Sequence, residues 1–179
     1  MVKKVIAFLG FQGSGKDYKC KQLEMQGYRR VAFADALREV AFSMLNIPFN
    51  EGMRKYDELK KTELINGFTF RNILEHLGSG IRKYDKDFWV KTILKDIKNS
   101  TESICISDMR YVNEYKIISE FCKENNIEFH AYLSDYHSDR YDSNNTHVSA
   151  QLASYLVKDL HLQDLQEVTE DMIRNFTIQ

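Results

Sequence analysis

The sequence predicts an α/β protein, a three-layer α/β/α sandwich built around a mostly parallel sheet. Three observations lead to this prediction. Short, continuous apolar runs, typical of strands buried on both faces, alternate with segments whose apolar residues recur at helical spacing. A glycine-rich turn, GFQGSG, follows the first apolar run. The length of 179 residues fits one domain with one core, and no repeat or linker interrupts it.

Elements in the first half of the chain are predicted from their apolar pattern and from the residues that bound them. In chain order they are a strand over residues 3–9, a helix over 16–26 closed by Gly27, a strand over 30–34, a helix N-capped by Asp35 with apolar residues from Leu37 to Leu45, and at most a short helix over 56–64 within the polar segment 49–68.

The second half repeats the alternation, and polar residues mark most helix starts. In chain order it predicts a helix capped by Thr69, a helix capped by Asp87, a buried strand over 103–107, a helix opened by Asn113, a strand over 128–133, a polar loop, and two helices after His147, the last capped by Thr169.

Composition bears on the partners and the location of the protein. Lys and Arg total 25 against 26 for Asp and Glu, so the net charge of −1 gives no general attraction to nucleic acid or anionic lipid. The three cysteines form no C-x-x-C pair, which argues against a disulfide framework or a zinc site. No run approaches the roughly 18 apolar residues of a membrane span. We expect a cytoplasmic protein with neither nucleic-acid nor membrane partners, and the sequence leaves a homodimer open.

The turn from Gly10 to Lys16 has the spacing G-x4-G-K of a phosphate-binding loop. Glycines at this spacing let consecutive backbone N–H groups curl around a phosphate at a helix N-terminus, and the lysine reaches the outer phosphates. The predicted strand before the turn and helix after it match the context that this loop requires. The alternative interpretation is an ordinary glycine turn.

Asp17 stands where such loops usually carry a hydroxyl that binds Mg²⁺. A carboxylate can serve the same ion, directly or through water, because Mg²⁺ prefers oxygen ligands. Alternatively, Asp17 only complements the positive end of the helix dipole.

A second acidic position, Asp108, ends the buried run ICISD, and Arg110 follows two residues later. Ligands of open α/β sheets bind at the carboxyl ends of the strands, so these charges are candidates for orienting Mg²⁺ and a phosphate. Capping of the next helix is the alternative role for Asp108.

Transfer to a second phosphate requires further cations, and the candidates are Arg71, Arg82 and Arg38. Asp35 would bind an acceptor sugar or merely cap its helix. Trp89 is a candidate for stacking on a base, although core packing is the favoured interpretation.

Five segments, GFQGSGKD, FADALRE, FRNILEHLGSGIRKYDKDFWVK, SDMRYVNE and NNTHVS, resemble the deoxynucleoside monophosphate kinase family of large tailed bacteriophages, in the family's order. The similarity covers most of residues 3–150. The G-K-D loop and the D-x-R-x-x-N-E segment are the distinctive blocks. An Asp after the loop lysine is normal in that family, which would explain Asp17.

The resemblance implies a P-loop nucleotide kinase that moves the γ-phosphoryl of ATP to a (deoxy)nucleoside 5′-monophosphate with Mg²⁺. It implies one domain over 1–179, a helical substrate-binding insertion over 47–100 and a lid loop over 134–147. The implied catalytic residues are Lys16, Asp17, Arg71, Asp108 and Arg110. The implied ATP-binding residues are Gly10, Gly13, Ser14, Gly15, Lys16, Asp17, Tyr18 and Arg140. The implied acceptor-binding residues are Asp35, Arg38, Arg71, Arg82, Trp89 and Glu114, and the metal ligands are Asp17 and Asp108.

The chain departs from that family at three places. Ser134 stands where the fourth strand often ends in Arg, Ala150 replaces the acid of an H-x-[ST]-E motif, and no last strand is predicted in the tail. Two alternatives therefore remain: a phosphomevalonate-kinase-like enzyme, because animal-type members carry a similar S-G-K-D loop, and a nucleotide-binding module without activity.

Overall fold

The computed structural model describes residues 3–134, 148–174 and 176. It is an α/β structure in which helices flank a sheet of four parallel strands. The strands of the chain are β1 (Lys4–Leu9), β2 (Arg29–Val31), β3 (Glu63–Ile65), β4 (Phe68–Thr69), β5 (Ile104–Met109) and β6 (Glu128–Leu133). The parallel sheet has the order β2-β5-β1-β6, and β3 and β4 form a separate antiparallel pair. The predicted parallel sheet is confirmed.

The helices follow the strands in the alternation that the sequence predicts. They are α1 (Lys16–Glu24), α2 (Phe33–Met44), α3 (Phe49–Arg54), α4 (Tyr56–Leu59), α5 (Phe70–Tyr84), α6 (Phe88–Asn99), α7 (Val112–Glu124), α8 (Val148–Ser154), which continues into a π-helical turn (Tyr155–Asp159), and α9 (Glu170–Arg174). Within the described ranges, none of these helices has the length and apolar character needed to cross a membrane.

The chain divides into two compact units. The first unit comprises Met1–Ala32 and Ile93–Gln179 and contains the parallel sheet, and the second unit is Phe33–Thr92. The single kinase domain with an insertion over 47–100 stays a prediction.

In the first unit, the strand register places three strand ends side by side. Leu9 of β1 pairs with Met109 of β5 and with Leu133 of β6, so the chain leaves these strands at one edge of the sheet. Strand residues such as Ile104 and Ile106 are fully buried, as their continuous apolar run predicts. The loops that follow these three strands therefore start next to one another.

The tail contributes to this sheet, which the sequence analysis did not predict. Glu167 bridges antiparallel to Tyr132 of β6, and Val168 N–H donates to the Ala131 carbonyl at 2.7 Å. A short tail segment therefore satisfies backbone groups on the edge strand that would otherwise be unpaired.

In the second unit, α2 and α5 pack around a small aromatic core. Phe42 stacks on Phe70 with ring centroids 4.5 Å apart, and both rings are fully buried. Thr69 caps α5 as predicted, with its hydroxyl accepting from the N–H of Asn72. The predicted N-cap role of Asp35 is wrong, because α2 begins at Phe33 and places Asp35 within its first turn. The polar segment before α5 forms α3, α4 and the β3–β4 hairpin instead of one short helix.

Candidate functional site

The loop between β1 and α1 needs its glycines for conformational reasons. Gly10, Gly13 and Gly15 have φ angles of 147°, 84° and 87°, a region that side-chain-bearing residues rarely adopt. Gly15 is the N-cap of α1, so the loop leads directly into the N–H groups of the first turn of that helix. The glycine spacing of the sequence thus corresponds to a curled loop at a helix N-terminus, where anions are favoured.

Lys16 is folded into this loop. Its side chain is almost fully buried, with the residue only 6% exposed. The ammonium group donates to the carbonyl oxygen of Gly10 at 2.9 Å, to that of Phe11, and to the hydroxyl of Ser14 at 3.3 Å. An ammonium has three N–H donors, so these partners account for all of them. The loop is wrapped around its own lysine.

Burial and nearby charged groups change the pKa of Lys16. The pKa of Lys16 is lowered from 10.5 to about 8, mainly by burial and also by the positive charge of Arg110, while the carboxylates of Asp108 and Asp17 act in the opposite direction. Asp108 and Arg110 flank Met109, the β5 partner of the strand residue that precedes the loop. Two cations and two carboxylates predicted from the sequence are therefore brought together at one end of the sheet.

Asp17 and Tyr18 lie on the outer side of this group. The carboxylate of Asp17, in the first turn of α1, is 80% exposed and accepts from Arg30 at 3.3 Å. Tyr18 is 65% exposed. Arg30 was not among the predicted site residues, because nothing in its local sequence connects a residue of β2 with the loop.

Glu114 does not have the exposed position that a substrate-binding role implies. It is 2% exposed, and one of its carboxylate oxygens accepts from the backbone N–H of Arg110 at 2.8 Å and of Tyr111 at 3.0 Å. The bond from Tyr111 belongs to the capping box of α7, which starts at Val112, and the bond from Arg110 is additional to it. Glu114 therefore fixes the backbone at Arg110, and this replaces the predicted contact with substrate.

The sequence analysis predicted no site role for Ser134 or Lys19, which the structure brings next to the loop. Ser134 follows β6 and is fully buried, and its hydroxyl donates to the Ser14 carbonyl at 2.5 Å. Lys19 donates to the Ser134 hydroxyl at 3.0 Å and to Asp164 at 2.5 Å. A polar residue directly after a buried strand was the available signal for Ser134, and the i+3 spacing from Lys16 was the signal for Lys19.

The acceptor-side candidates lie in the second unit. Arg38 donates to Asp35 at 2.6 Å and its guanidinium lies 4.7 Å from the centre of the Tyr56 ring. Its Nε is buried and has no hydrogen-bond partner among the described residues. Arg71 is 58% exposed and pairs with Glu75 at 2.9 Å. Arg82 is partly buried in the last turn of α5.

Trp89 is not available for stacking on a base, so this predicted contact is wrong. The residue is 2% exposed, its indole N–H donates to the Gly78 carbonyl at 3.3 Å, and its ring meets Phe88 edge-on at 5.0 Å. It is a core residue of the second unit, as the favoured interpretation held. The predicted Arg140, His147 and the lid from 135 onward lie outside the described residues.

Asp17 and Asp108 are the predicted metal ligands, and their role stays a prediction. Over residues 3–134, 148–174 and 176, no group of three or more His, Cys, Asp or Glu side chains is placed to hold a metal ion.

No protein-family model matches the chain, and no curated protein is significantly similar to it. The resemblance to the bacteriophage kinase family accordingly stays a prediction from the motifs.

Proposed function

We propose that the protein is a deoxynucleoside monophosphate kinase with a P-loop, three-layer α/β/α fold. It would transfer the γ-phosphoryl of ATP to a (deoxy)nucleoside 5′-monophosphate, giving ADP and the diphosphate, and would work in the cytoplasm, where ATP is supplied. The observation that carries the proposal is the buried Lys16 in a glycine loop, with Asp108, Arg110 and Asp17 close enough to change its pKa.

An anion fits this arrangement better than any neutral ligand. The N-terminus of α1 carries partial positive charge and backbone N–H groups, and Lys16 and Arg110 add two full charges in a poorly hydrated place. Phosphate oxygens would replace one of the loop acceptors of Lys16. The hydroxyl of Ser14 is the partner most readily exchanged, because its distance of 3.3 Å is longer than that to the Gly10 carbonyl.

Mg²⁺ fits the donor set of the same place. Asp17 and Asp108 would hold it together with water and phosphate oxygens, since Mg²⁺ prefers oxygen ligands and retains several waters. When bound, the ion would neutralise charge on the phosphates. The 80% exposure of the Asp17 carboxylate leaves room for such a ligand, in exchange for its weak contact with Arg30.

The acceptor phosphate would be bound by arginines of the second unit. Arg38 is the best supported, because a buried donor without a partner is costly and gains a hydrogen bond when a phosphate binds. Arg71 and Arg82, on one helix, complete the acceptor set.

A panel of acceptors tests the proposal. Purified protein, ATP and Mg²⁺ are combined with each common ribo- and deoxyribonucleoside monophosphate and with a phosphorylated isoprenoid precursor, and ADP release is followed by a coupled assay. We expect turnover with at least one nucleotide, and a loss of at least about 100-fold in Lys16→Met, because a preorganised charge on the transferred phosphate is removed. Lys21→Met, an exposed lysine in the last turn of α1, is the matched control and should retain activity. Absence of turnover with every nucleotide would overturn the kinase assignment.

A nucleotide-binding module without activity is the second candidate. Its support is that the three donors of Lys16 are already engaged by Gly10, Phe11 and Ser14. Calorimetry that shows ATP binding while no acceptor is phosphorylated would decide for this candidate.

A further inference from the structure

The hydroxyl of Ser134 links the end of β6 to the middle of the phosphate loop. We propose that Ser134 is a positioning residue that fixes the Ser14–Gly15 peptide for phosphate binding, and that Lys19 holds the Ser134 hydroxyl in this orientation. The role of the peptide in phosphate binding rests on the proposed function, whereas the hydrogen bonds that hold it do not.

The hydrogen of the Ser134 hydroxyl has a defined direction. Lys19 donates to the Ser134 oxygen at 3.0 Å, and an ammonium can only donate. The single hydrogen of the hydroxyl is then directed to the Ser14 carbonyl, whose oxygen lies 2.5 Å away. Consecutive bonds of this kind, one of them from a charged donor, strengthen each other in a buried place.

The hydrogen bond from Ser134 also orients the peptide between Ser14 and Gly15. The described residues contain no cis peptide bond, so the N–H of Gly15 points opposite to the carbonyl of Ser14. Anchoring that carbonyl on Ser134 therefore aims the Gly15 N–H to the other side of the loop backbone. Gly15 is the N-cap of α1, and its N–H is one of the donors that a helix N-terminus offers to an anion.

Two further contacts make Ser134 a fixed reference point for the loop. Its own N–H donates to the Leu9 carbonyl at 2.7 Å, which continues the pairing of β6 with β1. A Cβ atom on Gly10 would lie only 2.2 Å from the Ser134 carbonyl oxygen, so the start of the loop lies against the backbone of this residue. A shift of Ser134 would therefore move the loop at two points.

The tail supports the same contacts through Asp164. Its carboxylate accepts from Lys19 at 2.5 Å, and the next residue, Leu165, donates its N–H to the Leu133 carbonyl at 2.8 Å. The tail segment that pairs with β6 thus also holds the lysine that orients the Ser134 hydroxyl.

Ser134→Ala tests the proposal, with Ser107→Ala as a matched control. Ser107 is also a buried serine, on strand β5 of the same sheet, but its hydroxyl has no hydrogen-bond partner among the described residues. Amide hydrogen exchange at Gly15 and Lys16 is measured by NMR on the free protein, the Kd for MgATP by calorimetry, and the KM values of ATP and acceptor by the coupled assay.

We expect Ser134→Ala to speed exchange at Gly15 about tenfold and to weaken MgATP binding about tenfold, because a buried carbonyl loses its donor. The KM of ATP should rise by a similar factor while that of the acceptor stays constant. Ser107→Ala should change none of these values. Lys19→Met is a second test, which leaves the buried serine intact. In this variant without ligand, amide hydrogen exchange at Gly15 should be about threefold faster than in the wild type.

The outcomes separate this inference from the proposed function. Faster exchange in Ser134→Ala together with a wild-type protein that binds no MgATP would support the positioning of the peptide and overturn the kinase. Unchanged exchange and an unchanged Kd for MgATP would overturn the positioning role, even if the melting temperature falls. If Ser134→Ala does not fold, unchanged exchange in Lys19→Met overturns it.

Discussion

The buried ammonium of Lys16 should make the stability of this protein depend on pH in a specific range. Burial is the main cause that lowers its pKa from 10.5 to about 8, and Arg110 acts in the same direction. One pKa unit corresponds to about 1.4 kcal/mol, so the folded protein disfavours the charged form by about 3 kcal/mol relative to the unfolded chain.

The sign of the effect follows from proton binding. Between pH 8 and 10.5 the unfolded chain keeps a proton that the folded protein has released at Lys16, so stability rises with pH in this window. Below pH 8 the destabilisation is present in full. Lys16→Met removes the titrating group, and the difference in unfolding free energy, wild type minus variant, should increase by about 2 kcal/mol from pH 7 to 9.5.

Urea denaturation of both proteins at pH 7, 8 and 9.5 measures this difference. Lys21→Met is the control, because its side chain is exposed on the same helix, and its difference from wild type should not change with pH. A difference for Lys16→Met that stays flat between pH 7 and 9.5 would refute the reasoning, since the lysine would then be as hydrated when folded as when unfolded.

Binding of a polyphosphate should reverse the effect of burial on Lys16. A phosphate beside the ammonium favours its charged form, so binding of MgATP at pH 8 should take up about half a proton, the fraction missing from the free protein at its pKa. Calorimetry in two buffers of different ionisation enthalpy measures this uptake. Zero uptake, or equal uptake in Lys16→Met, would contradict the placement of phosphate at this lysine.

Two further substitutions follow from the first unit. Gly10→Ala should destabilise the protein by about 2 kcal/mol in urea denaturation and weaken MgATP binding, because the new Cβ would lie 2.2 Å from the Ser134 oxygen. The pKa of His130 is raised by its hydrogen bonds to Glu128 and Glu167, so its contribution to stability is complete below pH 6.5 and is lost as pH rises through the raised value. His130→Gln should therefore lower the melting temperature by about 2 °C at most at pH 6, and by less at pH 9.

Each substitution has a control that isolates its cause. Gly27 also has a positive φ, of 86°, but a Cβ there meets no atom within 4 Å, so Gly27→Ala should cost less than Gly10→Ala and leave MgATP binding unchanged. Equal costs would assign the effect to backbone conformation alone. Glu167→Gln should reduce the pH dependence attributed to His130, and a melting difference that grows with pH would contradict the assigned sign.

Local patterns were sufficient to predict most of the sheet. The runs that became β1 and β5 are short and mostly apolar, as strands buried on both faces require, whereas the run that became β6 was predicted from its alternation of polar and apolar residues. The second strand was predicted too long, because the apolar run from Val31 through Phe33 does not show where extended backbone ends. Phe33 begins α2, and its burial is compatible with either structure.

The candidate site was predictable where its parts are close in sequence. Gly10, Lys16 and Asp17 belong to one loop, and Asp108 belongs to a strand end whose apolar run is evident. The contact between Ser134 and Ser14 joins residues 120 positions apart, so it depends on strand order, which no local pattern contains. The tail segment was missed for the same reason, because its pairing with β6 involves few residues.

The burial of Lys16 and the nearby charge of Arg110 support the proposed binding role over a purely structural one. A lysine that served only to hold the loop would be stabilised by neighbouring carboxylates alone, yet here a second cation, Arg110, acts against its charge. In the free loop, burial and repulsion together disfavour the charged form of Lys16 by about 3 kcal/mol. An anion that pairs with both cations could recover this free energy. The same loop supplies backbone N–H groups at the N-terminus of α1, directed by the Ser134 contact. Under the proposed function, a bound phosphate would offset the burial and the cation repulsion that disfavour the charge of Lys16 in the free loop.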